Sequence, residues 1–201
     1  MRPSLLILSA LASASAVFAL PSTNGQPSIP DLPEGFFAGY NNPDGTSTLQ
    51  FVDTHENFTF VPIPAPKPSG IEKRGQGKPD CWAWMGRLNT AGVDAGIRAL
   101  KDRLYTIPIG LGQHSDWPPY FGYNNNGVYV YFCVNSGVDY LHWSFTYEEL
   151  EWYSFWMDYF CGPYMSGYLL DDRYDIKNPY RLFGKAKSGT AVCQGNPRSP
   201  R

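Results

Sequence analysis

The sequence predicts an α+β fold, in which a small antiparallel or mixed sheet carries two helices on one face. Two segments, 88–104 and 146–161, repeat apolar residues at the spacing of a helix. Between them, VYVYFCV at 128–134 is rich in β-branched and aromatic residues, which favours a strand. Short apolar segments at 168–170 and 181–193 supply further strands around the same core.

The first 19 residues are typical of a secretory signal peptide. Arg2 supplies a positive n-region, Leu5 to Leu11 is apolar but too short to span a bilayer, and Val17-Phe18-Ala19 fits a cleavage site. No later stretch of the sequence is long and apolar enough to cross a membrane. We therefore expect a secreted, extracellular protein without a transmembrane anchor.

Residues 20–74 are interpreted as a pro-segment. They are rich in Pro, Gly, Ser, Thr and Asn, contain neither cysteine nor tryptophan, and end in Lys73-Arg74. Such a composition does not offset the entropy of ordering the chain, and a glycine-flanked dibasic pair in a loop is accessible to a protease. A processing protease specific for Lys-Arg is expected to cut here and release residues 75–201 as the mature domain. The alternative is a plain linker with a chance dibasic pair.

The pro-segment is not featureless. Asn42-Pro43-Asp44-Gly45 is a strong turn signal between two short apolar-aromatic runs. A meander of two or three strands could form there and pack on the mature domain during folding. The sequon at Asn57 would place a glycan on the part that is removed.

The first helix is expected over LNTAGVDAGIRALKDRL (88–104), with Asn89 or Thr90 as its N-cap. Its buried stripe consists of Val93, Ile97, Leu100 and Leu104. Its other face carries charges four positions apart, which we interpret as a solvated row of ion pairs: Asp94, Arg98 and Asp102.

The strand at 128–134 follows the turn signal Asn125-Asn126-Gly127. Both of its faces are apolar, so we expect it at the centre of the sheet. Residues 120–123 are its expected hairpin partner, and the rest of 106–127 is expected to be loop because of its prolines and glycines.

The second helix begins with a capping box formed by Thr146 and Glu149 and is stopped by Gly162 and Pro163. Its expected buried stripe consists of Leu150, Tyr153, Met157 and either Phe160 or Cys161. Tryptophans beside this stripe make the helix apolar over a wide arc, so we expect it to be well covered.

All the cysteines lie after residue 80, and their even number in an exported chain predicts two disulfides: Cys81, Cys133, Cys161 and Cys193. Their wide separation, with no C-x-x-C pair, argues against a zinc site. Spacing alone leaves three pairings open. We expect no metal and no other cofactor.

The charge balance argues against nucleic acid as a partner. Twelve of the 16 basic and 12 of the 18 acidic side chains follow residue 74, so the expected mature part is formally neutral. A non-specific nucleic-acid binder needs a basic surplus.

Taken in order, the motifs resemble a family of small secreted fungal proteins. The set comprises a signal sequence, a Pro-rich segment ending in Lys-Arg, a cysteine before an LN-x-x-x-V-D-x-x-I-x-x-L helix, YVYFCVN, a helix ending C-G-x-Y-x-x-G, and LFGKAKSGTAVC. It resembles the necrosis-inducing effector family, homologues of the Cladosporium extracellular effector. More distantly, it is similar to the virus-encoded killer toxins of smut fungi. The resemblance covers residues 81–193.

This resemblance implies a compact killer-toxin-like α/β sandwich that acts outside the cell on another organism without catalysis. The killer-toxin analogy favours the pairings Cys81–Cys161 and Cys133–Cys193, with Cys81–Cys193 and Cys133–Cys161 as the main rival. The toxins are richer in cysteine and some act on calcium transport through exposed basic residues, so that mechanism is not carried over to this chain.

Catalytic signals are weak. His114-Ser115-Asp116 is a chance adjacency rather than a triad, because triad members converge from separate elements. Asp171, Asp172 and Asp175 lack the spacing and the glycine of an EF-hand loop and read as a solvated turn.

A binding surface is the more economical hypothesis. Exposed aromatic residues in the 105–127 loop, and two lysines in KAKSGTAVC, are its candidates: Trp117, Tyr120, Tyr123, Lys185 and Lys187. The alternatives are that the aromatics fill the core and that the lysines protect an edge strand. We expect a secreted effector that binds a host or competitor protein or a surface glycan. Two alternatives remain open, a killer-toxin-like antifungal protein and a small carbohydrate-binding protein or hydrolase.

Overall fold

The computed structural model describes residues 31–65, 79–107, 109–111, 118–134, 143–171 and 181–194. The elements, in chain order, are β1 (Gly35–Asn41), β2 (Ser47–Phe51), β3 (Asn57–Phe60), β4 (Pro79–Cys81), a short 3-10 helix (Ala83–Met85), α1 (Thr90–Thr106), β5 (Ile109–Leu111), β6 (Tyr120–Asn125), β7 (Val128–Val134), β8 (Trp143–Phe145), α2 (Tyr147–Cys161), β9 (Gly167–Asp171) and β10 (Arg181–Lys187).

Eight strands form one antiparallel sheet in the order β3-β2-β1-β6-β7-β10-β9-β4. A second, two-stranded sheet pairs β5 with β8. The predicted α+β class with two helices on one face is confirmed. The sheet is larger than predicted because the meander expected in the N-terminal segment adds β1, β2 and β3 to it.

β7 lies near the middle of the sheet and is buried along its whole length. Alternate side chains point to opposite faces of a strand. Val128, Val130 and Phe132 therefore join the core under the helices, whereas Tyr129 and Tyr131 join a second core on the other face. The apolar character of both faces, visible in the sequence, reflects these two cores.

α1 lies close against β6 and β7. Asn89 caps the helix by accepting a hydrogen bond from the Gly92 backbone amide at 3.2 Å. Gly96 permits the close approach, since a Cβ placed there would lie 2.5 Å from Cγ2 of Val130. The exposed charges of the predicted ion-pair row, Asp94, Arg98 and Asp102, lie on the outer face as expected.

Neither α1 nor α2 contributes a side chain to the second core, whereas Met85 of the short 3-10 helix does. Phe37 of β1 and Leu49 of β2 are fully buried in this core, to which Tyr129 and Tyr131 of β7 also belong. Residues 189–192 follow β10 and cover the same face, where Ile63 and Thr190 form a parallel bridge. The N-terminal segment and the C-terminal residues thus close this side of the sheet.

Both disulfides favoured by the resemblance are present. Cys81 at the end of β4 bonds to Cys161 at the end of α2, with Cα atoms 5.5 Å apart. Cys133 of β7 bonds to Cys193 beyond β10, with Cα atoms 5.8 Å apart. One cross-link ties the start of the cysteine-containing region to α2, and the other ties the central strand to the C-terminal segment.

Candidate functional site

α2 exposes a group of aromatic side chains on its outer side and in its last turn. Its inner stripe, Leu150, Tyr153 and Met157, is fully buried. By contrast, the side chains of Phe155, Tyr159 and Phe160 are 60%, 68% and 51% exposed. Together with two half-buried neighbours they form what we call the α2 aromatic face: Trp152, Phe155, Trp156, Tyr159 and Phe160.

The rings of the α2 aromatic face contact one another along the helix. Phe155 and Tyr159 are nearly parallel, with ring centroids 6.3 Å apart. Trp156 and Phe160 are also nearly parallel, at 5.8 Å. Both pairs are four residues apart, the spacing at which side chains on a helix meet. The result is two adjacent rows of stacked rings on a rigid element.

Two ion pairs with β10 hold α2 in its orientation. Arg181 binds the Glu149 carboxylate, and Lys185 binds the Asp158 carboxylate. At about 3.6 residues per turn, Glu149 and Asp158 lie on opposite sides of the buried stripe. The two ion pairs therefore attach both edges of the buried stripe to β10. They fix the rotation of α2 about its own axis, and with it the direction in which the aromatic side chains point.

Glu149 serves two roles at the start of α2. One carboxylate oxygen accepts a hydrogen bond from the Thr146 amide at 3.2 Å, while Thr146 Oγ1 accepts one from the Glu149 amide at 3.3 Å. The other carboxylate oxygen faces Arg181. The predicted capping box is therefore confirmed, and it also presents an anion to the sheet.

Arg181 and its neighbours form a buried polar cluster. The Tyr153 hydroxyl donates to Asp171 Oδ2 at 2.7 Å, and that oxygen lies 4.0 Å from the Arg181 guanidinium. Burial is the main cause that raises the pKa of Tyr153, and the negative charge of Asp171 raises it further. Asp171 thus takes part in the core, which contradicts its interpretation as part of a solvated turn.

Lys185 is not the exposed contact residue that the sequence suggested. It is 1% exposed, its Nζ donates to the Pro163 carbonyl at 2.8 Å, and it pairs with Asp158. Desolvation lowers the pKa of Lys185, and the hydrogen bond to Asp158 opposes that shift. The prediction failed because β10 is an inner strand between β7 and β9, so alternate side chains are covered by α2.

Tyr120 is likewise wrong as an exposed candidate. It is 1% exposed and packs in the second core, where its ring centroid lies 6.3 Å from that of Phe37. Tyr123 is half-buried against Phe36 at 4.9 Å, and Lys187 is half-exposed at the end of β10. Tyr120 and Tyr123 lie on opposite faces of β6, so these two candidates do not share a surface.

Several predicted sites fall outside the described residues: the signal peptide, the dibasic pair Lys73-Arg74, Trp117, His114 and Asp172 with Asp175. Asn57 is described and lies exposed at the start of β3. Within the described ranges, no group of His, Cys, Asp or Glu side chains is arranged to hold a metal ion. Over the same part of the chain, neither helix has the length and apolar character needed to cross a membrane.

A cleft of about 420 Å³ lies between α1 and α2. Its walls carry charges of both signs, among them Asp94, Arg98 and Lys101, and Asp158 lies in its lining. Two of these charges are paired within the protein, since Lys185 engages Asp158 and Glu151 engages Lys101.

Comparison of the chain with protein-family models, with curated proteins and with solved structures gives no match.

The α2 aromatic face was missed because the wide apolar arc of α2 was interpreted as a sign of coverage. The signal was present, however. With Leu150, Tyr153 and Met157 assigned to the buried stripe, residues 155 and 159 fall on the opposite side of the helix.

Proposed function

We propose that this chain is an exported, proprotein-processed protein of the fungal effector type, which acts by binding a molecule of a host or of a competing organism. We further propose that the α2 aromatic face is its contact surface. The observation that carries the proposal is the cluster of Phe155, Tyr159 and Phe160, each more than half exposed on one helix.

Exposed aromatic clusters of this kind are typical of binding surfaces. Each large apolar side chain left in water forgoes about 1.5–3 kcal/mol of burial free energy. Aromatic residues also dominate the binding energy of protein interfaces, because they bury much area with few rotatable bonds. Two disulfides and a signal-like N-terminus support a site of action outside the cell.

The charges of α2 indicate the character of the partner. The helix contains four acidic residues and no lysine or arginine. Glu149 and Asp158 are used by β10, which leaves Glu148 and Glu151 on the outer surface, the latter paired with Lys101. A partner surface with an apolar centre and basic residues at its edge complements this arrangement.

The test compares two triple variants of the full chain. The first is Phe155→Gln, Tyr159→Gln and Phe160→Gln, which removes the exposed rings while keeping a good helix former. The matched control is Val61→Gln, Tyr105→Gln and Ile107→Gln, three exposed side chains outside the α2 aromatic face, of which Tyr105 contacts the Tyr147 ring in the first turn of α2. Labelled protein is titrated onto intact fungal cells, plant cell surfaces and a glycan array.

We expect saturable binding to one of these surfaces. One interface hot spot is worth about 2 kcal/mol or more, so the α2 variant should raise the dissociation constant at least about thirtyfold. The control should bind like the natural chain. Unchanged binding by the α2 variant would refute the assignment of the surface, and no saturable binding to any surface would refute the function.

The same titration separates the alternatives. Binding to and killing of competing fungi favours the killer-toxin-like function, and binding confined to the glycan array favours a carbohydrate-binding protein. Turnover of a glycan that survives the α2 substitutions favours a hydrolase.

A further inference from the structure

The N-terminal segment contributes to the middle of the fold rather than to its surface. β1 lies between β2 and β6 in the sheet. It pairs with β6 over five residues, from Gly35 opposite Asn124 to Gly39 opposite Tyr120. Residues 31–65 precede the dibasic pair Lys73-Arg74, yet their strands continue the sheet of the cysteine-containing part.

Side chains of this segment fill the second core. Phe37 and Leu49 are completely buried, and Phe51 is nearly so. The Phe37 ring centroid lies 5.0 Å from that of Tyr129 in β7. Without the segment, the aromatic side chains of β6 and β7 on this face would lose their cover, and β6 would become an open edge that invites unwanted pairing.

Polar contacts fix the start of the segment. Asn124 of β6 is buried, and its Nδ2 donates to the Leu32 carbonyl at 3.1 Å and to the Pro33 carbonyl at 2.6 Å. Asn124 Oδ1 in turn accepts a hydrogen bond from the Ser188 hydroxyl. A buried amide satisfied in this way leaves unpaired groups behind if its partner departs.

The end of the segment is fixed by the C-terminal residues. The Ile63 amide donates to the Gly189 carbonyl at 2.8 Å, and the Ala191 amide donates to the Ile63 carbonyl at 2.7 Å. Asn41 Nδ2 donates to the Cys193 carbonyl at 2.8 Å. The segment is therefore held at both ends and along β1, although it contains no cysteine and no disulfide can retain it.

We propose that residues 31–65 are a permanent, non-covalently bound part of the folded protein. Cleavage at Lys73-Arg74 then yields a two-chain complex, in which β6 and the second core bind the N-terminal chain. The inference rests on the proposed function for the cleavage itself, but the retention rests on the contacts of the described residues. The N-terminal chain thus acts as a subunit of the working protein and is not a removable leader.

The experiment uses the full secreted chain, treated with a purified protease specific for Lys-Arg. The product is examined by intact mass under denaturing, non-reducing conditions and by native size exclusion. We expect two masses in denaturant without reductant but one peak containing both chains in native buffer. A native peak that contains only the chain starting at residue 75 would overturn the proposal. The Lys73→Gln, Arg74→Gln variant provides the uncut reference.

Two further variants show whether the described contacts cause the retention. Phe37→Ala empties part of the second core, and Gly39→Ala places a Cβ 1.9 Å from the Tyr120 ring at the β1–β6 contact. Purified uncut and then cleaved, the Phe37→Ala protein should release its N-terminal chain at least about a hundredfold faster, given the usual cost of such core truncations. Gln50→Ala on β2, which does not face β6, is the matched control and should release it at the natural rate. Equal release rates in all variants would contradict the proposed interface.

The experiment distinguishes failure of the proposed cleavage from failure of the proposed retention. If the secreted protein is intact and resists cleavage after Arg74, processing as proposed is wrong. Retention is then tested by replacing residues 71–76 with the recognition sequence of an unrelated protease. Co-elution of the two chains after that cut supports the retention, and separation refutes it.

Discussion

Buried tyrosines should make the fold sensitive to alkaline pH. Tyr120, Tyr129, Tyr131 and Tyr153 are almost completely buried. Desolvation raises the pKa of each phenol above its ordinary value of 10.0. Above pH 10 the unfolded chain therefore loses protons that the folded chain keeps. The unfolded state binds fewer protons, and the free energy of unfolding falls as the pH rises.

The size of the effect follows from the number of groups. Each such tyrosine weakens the fold by about 1.4 kcal/mol per pH unit once the pH is well above 10. All of them together give about 5.5 kcal/mol per pH unit, against a total stability of about 5–15 kcal/mol for a typical domain. Unfolding is thus expected within about one to three pH units above 10.

Lys185 acts in the opposite direction but over a lower range. Because its pKa is lowered in the folded protein, stability rises as the pH passes from that pKa up to the ordinary value of 10.5. The stabilisation that Lys185 adds with rising pH is complete near the pH at which the tyrosines begin to destabilise the fold. Because it is one group and the buried tyrosines are several, it does not offset their effect.

The assay is a rapid pH titration that follows tyrosinate absorbance and circular dichroism on the same sample. We expect the buried tyrosines to ionise in one cooperative step that coincides with the loss of the dichroism signal. Gradual ionisation of every tyrosine near pH 10 with the fold intact would refute the reasoning, because it would require these phenols to be solvated.

Two substitutions test the core under the helices. Arg181→Met removes the cation beside the partly buried Glu149 and the buried Asp171 and should cost about 3–5 kcal/mol in guanidinium unfolding. Adding Glu149→Gln and Asp171→Asn should recover much of the loss. A cost below about 1 kcal/mol would contradict the assignment of Arg181 as the counter-ion of this cluster. Gly96→Val should cost about 1–3 kcal/mol in the same measurement, because a larger side chain forces α1 away from β7. An unchanged unfolding midpoint would mean that the helix does not lie as close to the strand as described.

Local features were accessible from the sequence because neighbouring residues determine them. Three such features depend only on residues close together in the sequence: the capping box of Thr146 and Glu149, the end of α2 at Gly162 and the turn at Asn126-Gly127. The apolar stripe of α1 and the two apolar faces of β7 follow from periodicity alone. These features were sufficient to predict the α+β class.

Features that depend on neighbours distant in the chain were not accessible. The sequence does not indicate that β1 pairs with β6, so the composition of residues 20–74 suggested a detachable segment. Lys185 and Tyr120 were placed on the surface because their strands were treated in isolation, whereas α2 and β1 cover them. The outward side of α2 was predicted to be covered because the prediction relied on the number of apolar residues in the helix. That number does not show which of the apolar side chains are buried and which are exposed.

The two sides of α2 are under different physical constraints. The side toward β10 is specified by packing and by charge pairs, so substitutions there change whether the protein folds. The side carrying Phe155 and Tyr159 makes little contact with the sheet, so its residues can be exchanged at small energetic cost. A lineage, or a protein engineer, can therefore change the chemistry of this surface while keeping the same scaffold.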